Sequence, residues 1–514
     1  MKTTGQHLLG LVLGLLLITH LVSLGFFKLS SLDTWFHLKQ GELYATTHSL
    51  PAQDPFAFTT AGRTWLHYSW LADVLVYLVF RAAGLDGLVL FRLVCLLAIA
   101  GLLYRLLREC GLHPAAAVLS VYVASLALRF RLLVRPEILA FLLLLLIVWV
   151  LLRLPAARPA LAYALFPLQV LWVNIHGSYV FGLGLPALVL LANWMPWRPL
   201  QPGWGRLVLD RRRRNHLAIA VACLPGAGLL HPDGMAALLL PFRQNRIVRV
   251  VQLTEWMEVW RFPGLDPIWW EVLIVLGLVV GAFITAAALL WGWERRLDPV
   301  GWGVLLTMGT LAVLRGRTVP YFVLTILPLL ALAMVRVAAH LQPREAGRSL
   351  EALKRAGSAA CLLILGASLA GHLLPGARFP VGFGLRHDLF PEGAAAFLER
   401  NHLDGRLFNS YHFGGYLMWR RWPANTVIID GRYDTILFDD AEAAVHHALR
   451  LDDRLLLPIW VLGLAAEARG DPAKARERFL SILARLTPEE PRRPVVRAHL
   501  DGVERQLPTK AGGR

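Results

Sequence analysis

Cysteine is scarce. The four present, Cys95, Cys110, Cys223 and Cys361, lie in or beside apolar runs, with no CxxC pair and no metal-ligand spacing. That pattern excludes a disulfide framework and a cysteine-held zinc site, and leaves the four as packing or lipid-facing residues. Acidic residues are outnumbered, 35 Asp and Glu against 52 Lys and Arg, for a net charge of +17. Such an excess suits nucleic acid, but these arginines sit mostly in short loops between apolar runs, so no nucleic-acid partner is expected. No small-residue cleavage site follows the first apolar run, 7–27, which therefore reads as a retained helix. Paired inverted repeats are also missing, which argues against a transporter.

What is abundant is apolar sequence: 56% of the chain is hydrophobic. That is more than one soluble core buries, and the apolar runs repeatedly approach bilayer-spanning length. After 7–27, candidate spans are 88–107, 114–130, 138–153, 160–175, 180–196, 216–231, 268–292, 299–314, 319–338 and 357–374. The expected fold is an α-helical polytopic membrane protein with about eleven transmembrane helices. Arg211-Arg212-Arg213-Arg214 marks a cytoplasmic loop, and Arg295-Arg296 and the loop of Arg344, Arg348, Lys354 and Arg355 fall on the same side by parity. Parity holds on the N-terminal side only if 70–83 does not cross. Its helical length of roughly 21 Å is short of a core about 30 Å thick, and it contains Asp73, so it reads as an interfacial helix. A multi-pass protein of the cytoplasmic (inner) membrane follows, with a cytoplasmic N-terminus and an external C-terminal part.

The external loops then hold the chemistry. Asp33 directly follows the first helix, held at a fixed depth and partly desolvated, a placement suited to a general base for a lipid-borne substrate. If helix continues past Asp33, His37 lies one turn later on the same face, and the two either orient each other or share a divalent metal. The alternative is that Ser31 or Asp33 merely caps a helix.

The loop layout carries a resemblance. An Asp after the first helix (Asp33), a Gly eight residues on (Gly41), a Pro-containing loop (SLPAQDPFAF), an interfacial helix beginning Trp70-Leu71 and a Gly-containing turn into the next span resemble the first external loop of GT-C glycosyltransferases. In layout the nearest analogues are protein O-mannosyltransferases and lipid A aminoarabinose transferases, and the resemblance covers residues 8–160. It implies a polyprenyl-phosphate-linked sugar donor and transfer on the non-cytoplasmic face. It places the family's loop acid at Asp33 and a second acid at Glu137, after Arg135-Pro136, where an Asp is commoner. The family's KP pair in this loop is replaced by His67-Tyr68.

That chemistry needs a base for the acceptor hydroxyl and cations for the phosphate leaving group. Arg135, Arg315 and Arg317 suit the phosphate, since a guanidinium bonds two oxygens at once; anchoring among lipid headgroups is the competing reading. Asp54 and His67 in the first loop, Asn174 and His176 at a span end, and Arg243 and Arg246 on a cationic face beside Trp256 and Trp260 are expected substrate contacts. Turn formation and membrane anchoring explain the last four almost as well.

Residues 1–375 are thus a GT-C-like membrane domain, with the first external loop at 30–87. Composition changes near 376, giving a small soluble α/β domain over 376–440. A helical segment over 441–507 is similar to a tetratricopeptide repeat (LLLPIWVLGLAAEARGDPAKARERFLSILARLTPEEP), and 508–514 is a tail. Asp430-Gly431-Arg432 and Gly414-Gly415 read as a strand end with a tight turn, or as a headgroup contact. The function expected is transfer of a sugar from a polyprenyl-phosphate donor to a lipid, glycan or protein acceptor. The rivals are an oligosaccharide ligase using a lipid diphosphate donor and a non-enzymatic transporter or assembly scaffold.

Overall fold

The computed structural model describes residues 2–62, 64–195, 200–242, 258–260, 268–341, 363, 366, 380–432, 471–486 and 493–505. The chain divides into two compact units. The first comprises 1–49, 67–238 and 254–392; the second comprises 50–66, 239–253 and 393–514.

The first unit is a helical bundle. Its helices are α1 (Lys2–Gly25), α2 (Thr34–Thr47), α3 (Trp70–Glu109), α4 (Pro114–Leu128), α5 (Glu137–Arg153), α6 (Leu165–Ile175), α7 (Val180–Trp194), α8 (Arg211–Cys223), α9 (Ile268–Glu294), α10 (Pro299–Val304), α11 (Thr310–Leu314) and α12 (Val319–His340). The ten apolar runs from 7–27 to 319–338 are helical over most of their described residues; of 357–374 only residues 363 and 366 are described. Among the described residues five helices are long and apolar enough to cross a membrane, or six if the bent pair 211–230 and 235–242 is one span. The protein is a multi-pass helical membrane protein, and these five or six long helices of the described residues compare with about eleven spans expected of the whole chain. Part of the difference is length: 10–25, 159–175 and 299–314 are apolar helices too short to meet the same criterion.

Local sequence explains the helix starts. Pro114 opens α4 and Pro320 lies in the first turn of α12, where the missing N–H costs nothing. Asp210 and Asp298 cap α8 and α10 by accepting from the amides of Arg213 (2.7 Å) and Val300 (3.1 Å). The helices share one continuous apolar core, including Leu96, Phe141, Leu144, Trp172 and Phe322.

α3 is two helices in one. At Gly84, φ +62° and ψ −152° break it, so that 70–83 is a separate helix preceding the long apolar segment. That backbone conformation is essentially confined to glycine. Gly41 permits another close approach: a Cβ there would stand 2.0 Å from the Asp73 carbonyl oxygen, so α2 and α3 meet backbone to backbone.

The second unit contains helix α13 (Glu392–Arg400), strand β1 (Gly405–Leu407), helix α14 (Tyr411–Arg421) and strand β2 (Asn425–Val427). The strands pair in parallel, Gly405 with Asn425 through Leu407 with Val427. Residues 56–58, from the first loop, pair with Val427: its amide donates to Phe56 (3.1 Å) and its carbonyl accepts from Phe58 (3.1 Å). Helices α15 (Pro472–Leu483) and α16 (Arg493–Glu504) pack together through Phe479, Ile482, Leu500 and Val503. The first helix of the repeat-like stretch lies outside the described residues.

Candidate functional site

The exit of α1 is anchored before it reaches Asp33. Arg92, buried in α3, donates from Nε to the Gly25 carbonyl (3.0 Å), donates from a second nitrogen to Phe27, and lies 3.5 Å over the Phe27 ring. Residues 27–29 also pair with the 380–386 segment, with Lys28 bonded to Pro380 (3.0 Å) and Leu29 to Gly384 (2.9 Å). The helix-end carbonyls are thereby satisfied and the following turn is held in place.

Asp33 occupies the position before α2, but its side chain makes no capping bond. Its carboxylate instead meets Arg135 at 3.0 Å, and Arg135 Nε also reaches Ser31 Oγ at 3.1 Å. The Thr34 hydroxyl donates to the Val134 carbonyl (2.9 Å), so the start of α2 rests on the 129–137 segment. His37 does lie one turn after Asp33, as the sequence suggests. Its ring, however, pairs with Asp73 on α3, Nδ1 to Oδ1 at 2.7 Å, and not with Asp33. This replaces the expected mutual orientation of Asp33 and His37, because the Gly41 contact brings α3 against that face of α2.

Glu137 is 2% exposed and joined to Arg131, with Arg131 Nε 2.6 Å from its Oε2. The Tyr321 hydroxyl lies 3.3 Å from Glu137 and 2.8 Å from Ser178, whose Oγ also contacts His176 Nδ1 at 2.7 Å and accepts from Trp172 Nε1 at 3.1 Å. The Ser178 backbone amide donates to the same His176 nitrogen (3.1 Å), which fixes Nδ1 as an acceptor. His176, between α6 and α7, is neutral: burial above all, with Arg317 and Arg131 adding to it against the pull of Glu137, drives its pKa down to about 3. Arg317 thus lies within electrostatic reach of His176. It shares with Arg315 the turn between α11 and α12, closed by Thr318, whose amide and hydroxyl both bond the Arg315 carbonyl at 2.9 Å.

Asn174 accepts from Trp70 Nε1 (2.7 Å) and donates to Val170 (2.8 Å), tying α6 to the start of α3. His67 is bound by Asp233, through its amide at 2.6 Å and its ring at 3.2 Å. Burial raises the Asp233 carboxyl, but the ring and amide of His67 outweigh it and hold the group below the usual range. Asp54 belongs to the second unit, where it is buried against Arg432 (2.7 Å), Thr60 and the Phe56 amide, while Asp430 takes the other side of the same guanidinium (2.6 Å). Burial raises the Asp54 carboxyl, and Arg432 more than reverses it. The DGR motif is thus an internal ion cluster flanked by the rings of Phe56 and Trp65. Arg243 and Arg246 lie outside the described residues.

The first unit therefore brings together Asp33, His37, Arg135, Glu137, Asn174, His176 and Arg317. Sequence reasoning missed Arg131, Ser178, Tyr321 and Asp233 and gave Asp73 no chemical role. Asp233 stands in the stretch His231-Pro232-Asp233-Gly234, whose Pro and Gly mark a turn, and Tyr321 stands as an aromatic residue at the head of a span. No group of three or more His, Cys, Asp or Glu among the described residues is arranged to hold a metal ion. Asp33 is engaged by Arg135 and His37 by Asp73.

No protein-family model and no curated protein matches this sequence. Solved structures do share its fold. The apo oligosaccharyltransferase of Archaeoglobus fulgidus superposes with a TM-score of 0.52 at 13% identity, over 82% of this chain and 64% of that one. The same enzyme in complex with Zn and sulfate gives 0.53 at 14%, over 81% and 62%. The chain spans less than two thirds of the length of these structures. ArnT from Cupriavidus metallidurans bound to undecaprenyl phosphate gives 0.36 at 16%, over 95% and 82%, a score too low to carry an argument. What is shared with the oligosaccharyltransferase is the fold.

Proposed function

We propose that this protein is a glycosyltransferase that moves a sugar from a polyprenyl-phosphate-linked donor to an acceptor hydroxyl on the external face of the membrane. The observation that carries the reading is the Asp33–Arg135 pair: an acid at the exit of the first helix, 29% exposed, beside a guanidinium that is 18% exposed. A base and a phosphate partner are thereby side by side, open to a substrate, while the other ion pair nearby, Arg131–Glu137, is closed. In the proposed reaction Asp33 takes the acceptor proton as the acceptor oxygen bonds the sugar. The bond from sugar to phosphate breaks, and its electron pair stays on a phosphate oxygen held by Arg135, Arg315 and Arg317. Glu137, through Arg131 and Tyr321, keeps the 129–137 segment in register.

The fold shared with an oligosaccharyltransferase supports a second reading, a ligase with a lipid diphosphate donor. Mass spectrometry of lipid copurifying with the protein separates the two: a monophosphate sugar lipid supports the first and a diphosphate-linked glycan the second. The test of the site is Asp33→Asn, which keeps size and hydrogen-bonding reach but removes the basic lone pair. Transfer should fall by roughly 10²–10⁴ with donor binding nearly unchanged. Unchanged transfer by the folded, donor-bound variant overturns the assignment and favours a scaffold.

A further inference from the structure

We propose that Asp73 is a positioning residue that fixes the tautomer of His37, leaving His37 Nε2 as a hydrogen-bond acceptor for a substrate hydroxyl other than the one whose proton Asp33 takes. The role of that atom in transfer rests on the function proposed above; the tautomer does not. His37 Nδ1 and Asp73 Oδ1 are 2.7 Å apart, with side-chain exposures of only 4% and 1%. An ionised Asp73 can only accept, so Nδ1 carries the hydrogen, and in the neutral imidazole Nε2 then keeps its lone pair. No hydrogen bond to Nε2 is found among the described residues.

The arrangement is held from several sides. The Ser69 hydroxyl lies 3.1 and 3.2 Å from the two Asp73 oxygens, and the Asp73 amide bonds the Ser69 carbonyl at 2.9 Å. Gly41, one turn beyond His37, lets the backbones of α2 and α3 touch at Asp73 itself, so main chain sets the distance between ring and carboxylate. Trp70, three residues before Asp73, is fastened to Asn174. His67 acts on Asp73 and His37 on His176, so the pair lies among the charged and titratable residues of the site. The two histidines take opposite roles: at His176 the Nδ1 atom accepts, and at His37 it donates. A carboxylate behind an imidazole is a general device for fixing tautomer and orientation. An Asp in the first turn of a helix has an ordinary use in countering the helix dipole, but that use needs neither burial nor a histidine partner.

The test is ¹⁵N spectroscopy of ring-labelled histidine in the full chain in lipid nanodiscs, with His37 assigned by difference against His37→Gln. The expected wild-type spectrum shows a protonated Nδ1 and an unprotonated Nε2, and Asp73→Asn shifts the ring toward the Nε2–H form. A wild-type ring protonated on Nε2, or a tautomer unchanged in folded Asp73→Asn, overturns the proposal. The wild-type spectrum decides even if that variant fails to fold. In the transfer assay Asp73→Asn should reduce turnover by about 10²-fold or more with donor affinity unchanged. An Nδ1–H spectrum from protein that shows no transfer with any polyprenyl-linked donor sinks the proposed function and supports the positioning role.

Discussion

Three carboxylates of the first unit sit within a few helical turns of one another, and their partners divide their work. Asp33 shares a half-buried pair with Arg135, Asp73 is buried against His37, and Glu137 is buried against Arg131. Breaking a buried pair leaves an uncompensated charge, at a cost of about 3–5 kcal/mol, whereas replacing both partners by apolar groups is often neutral. Glu137→Gln should therefore lower the thermal midpoint of the detergent-solubilised protein, and the double variant Arg131→Met/Glu137→Leu should recover most of it. A single variant as stable as the parent would place Glu137 outside the structural frame and return it to the catalytic role its sequence position suggests. The arginines should behave differently from Asp33. Replacing Arg317 with Gln should weaken donor affinity and turnover together, because a phosphate-holding cation acts both on the bound donor and on the leaving group. A loss in turnover alone, measured beside direct donor binding, would contradict a phosphate role.

Among the helices, the joint between α2 and α3 does most to shape the site. Gly41 allows the two backbones to meet, and Gly84 ends the short helix that carries Asp73 before the long apolar one begins. A side chain at Gly84 has open space, so its cost is purely conformational: Gly84→Ala should destabilise the protein by about 1–3 kcal/mol, since φ +62° with ψ −152° is essentially a glycine conformation. The check is thermal unfolding of parent and variant under matched lipid conditions. An equal midpoint would mean that 70–109 can run as one unbroken helix, removing the physical basis for 70–83 as an interfacial element. The same comparison shows which element boundaries were legible. The ends of apolar runs marked α4, α5 and α12 closely, and the start of α10; α8 begins at Arg211, before the apolar run 216–231, and ends at Cys223 within it. The broken helix of 299–314, with a π-helical turn at Leu305–Gly309 between α10 and α11, left no mark, because a π turn satisfies the same apolar pattern as an α turn.

For the whole chain, charge asymmetry carries an orientation that a helical bundle alone does not. With Arg211–Arg214 on the cytoplasmic side, Ala61→Cys and Asp388→Cys should react with an impermeant thiol reagent applied from outside. Asn215→Cys should react only after permeabilisation. External labelling at 215 reverses the assignment. Membrane residence, the helical runs and the cationic loops were legible in sequence because each rests on local quantities: the length of an apolar run, the alternation of charge, the residue at a helix start. The polar pairing was not. Asp33 with Arg135, His37 with Asp73, and Glu137 with Arg131 and Tyr321 join residues whose meeting depends on how helices cross, and the missing Cβ at Gly41 lets α3 come against α2 where His37 meets Asp73. Asp54 makes the same point from the second unit, where a loop acid that reads as a substrate contact is spent on burying Arg432. Apolar burial is set by composition along the chain, but a hydrogen bond is short and directional, so its partner is fixed only when the packed backbone brings two groups within about 3 Å.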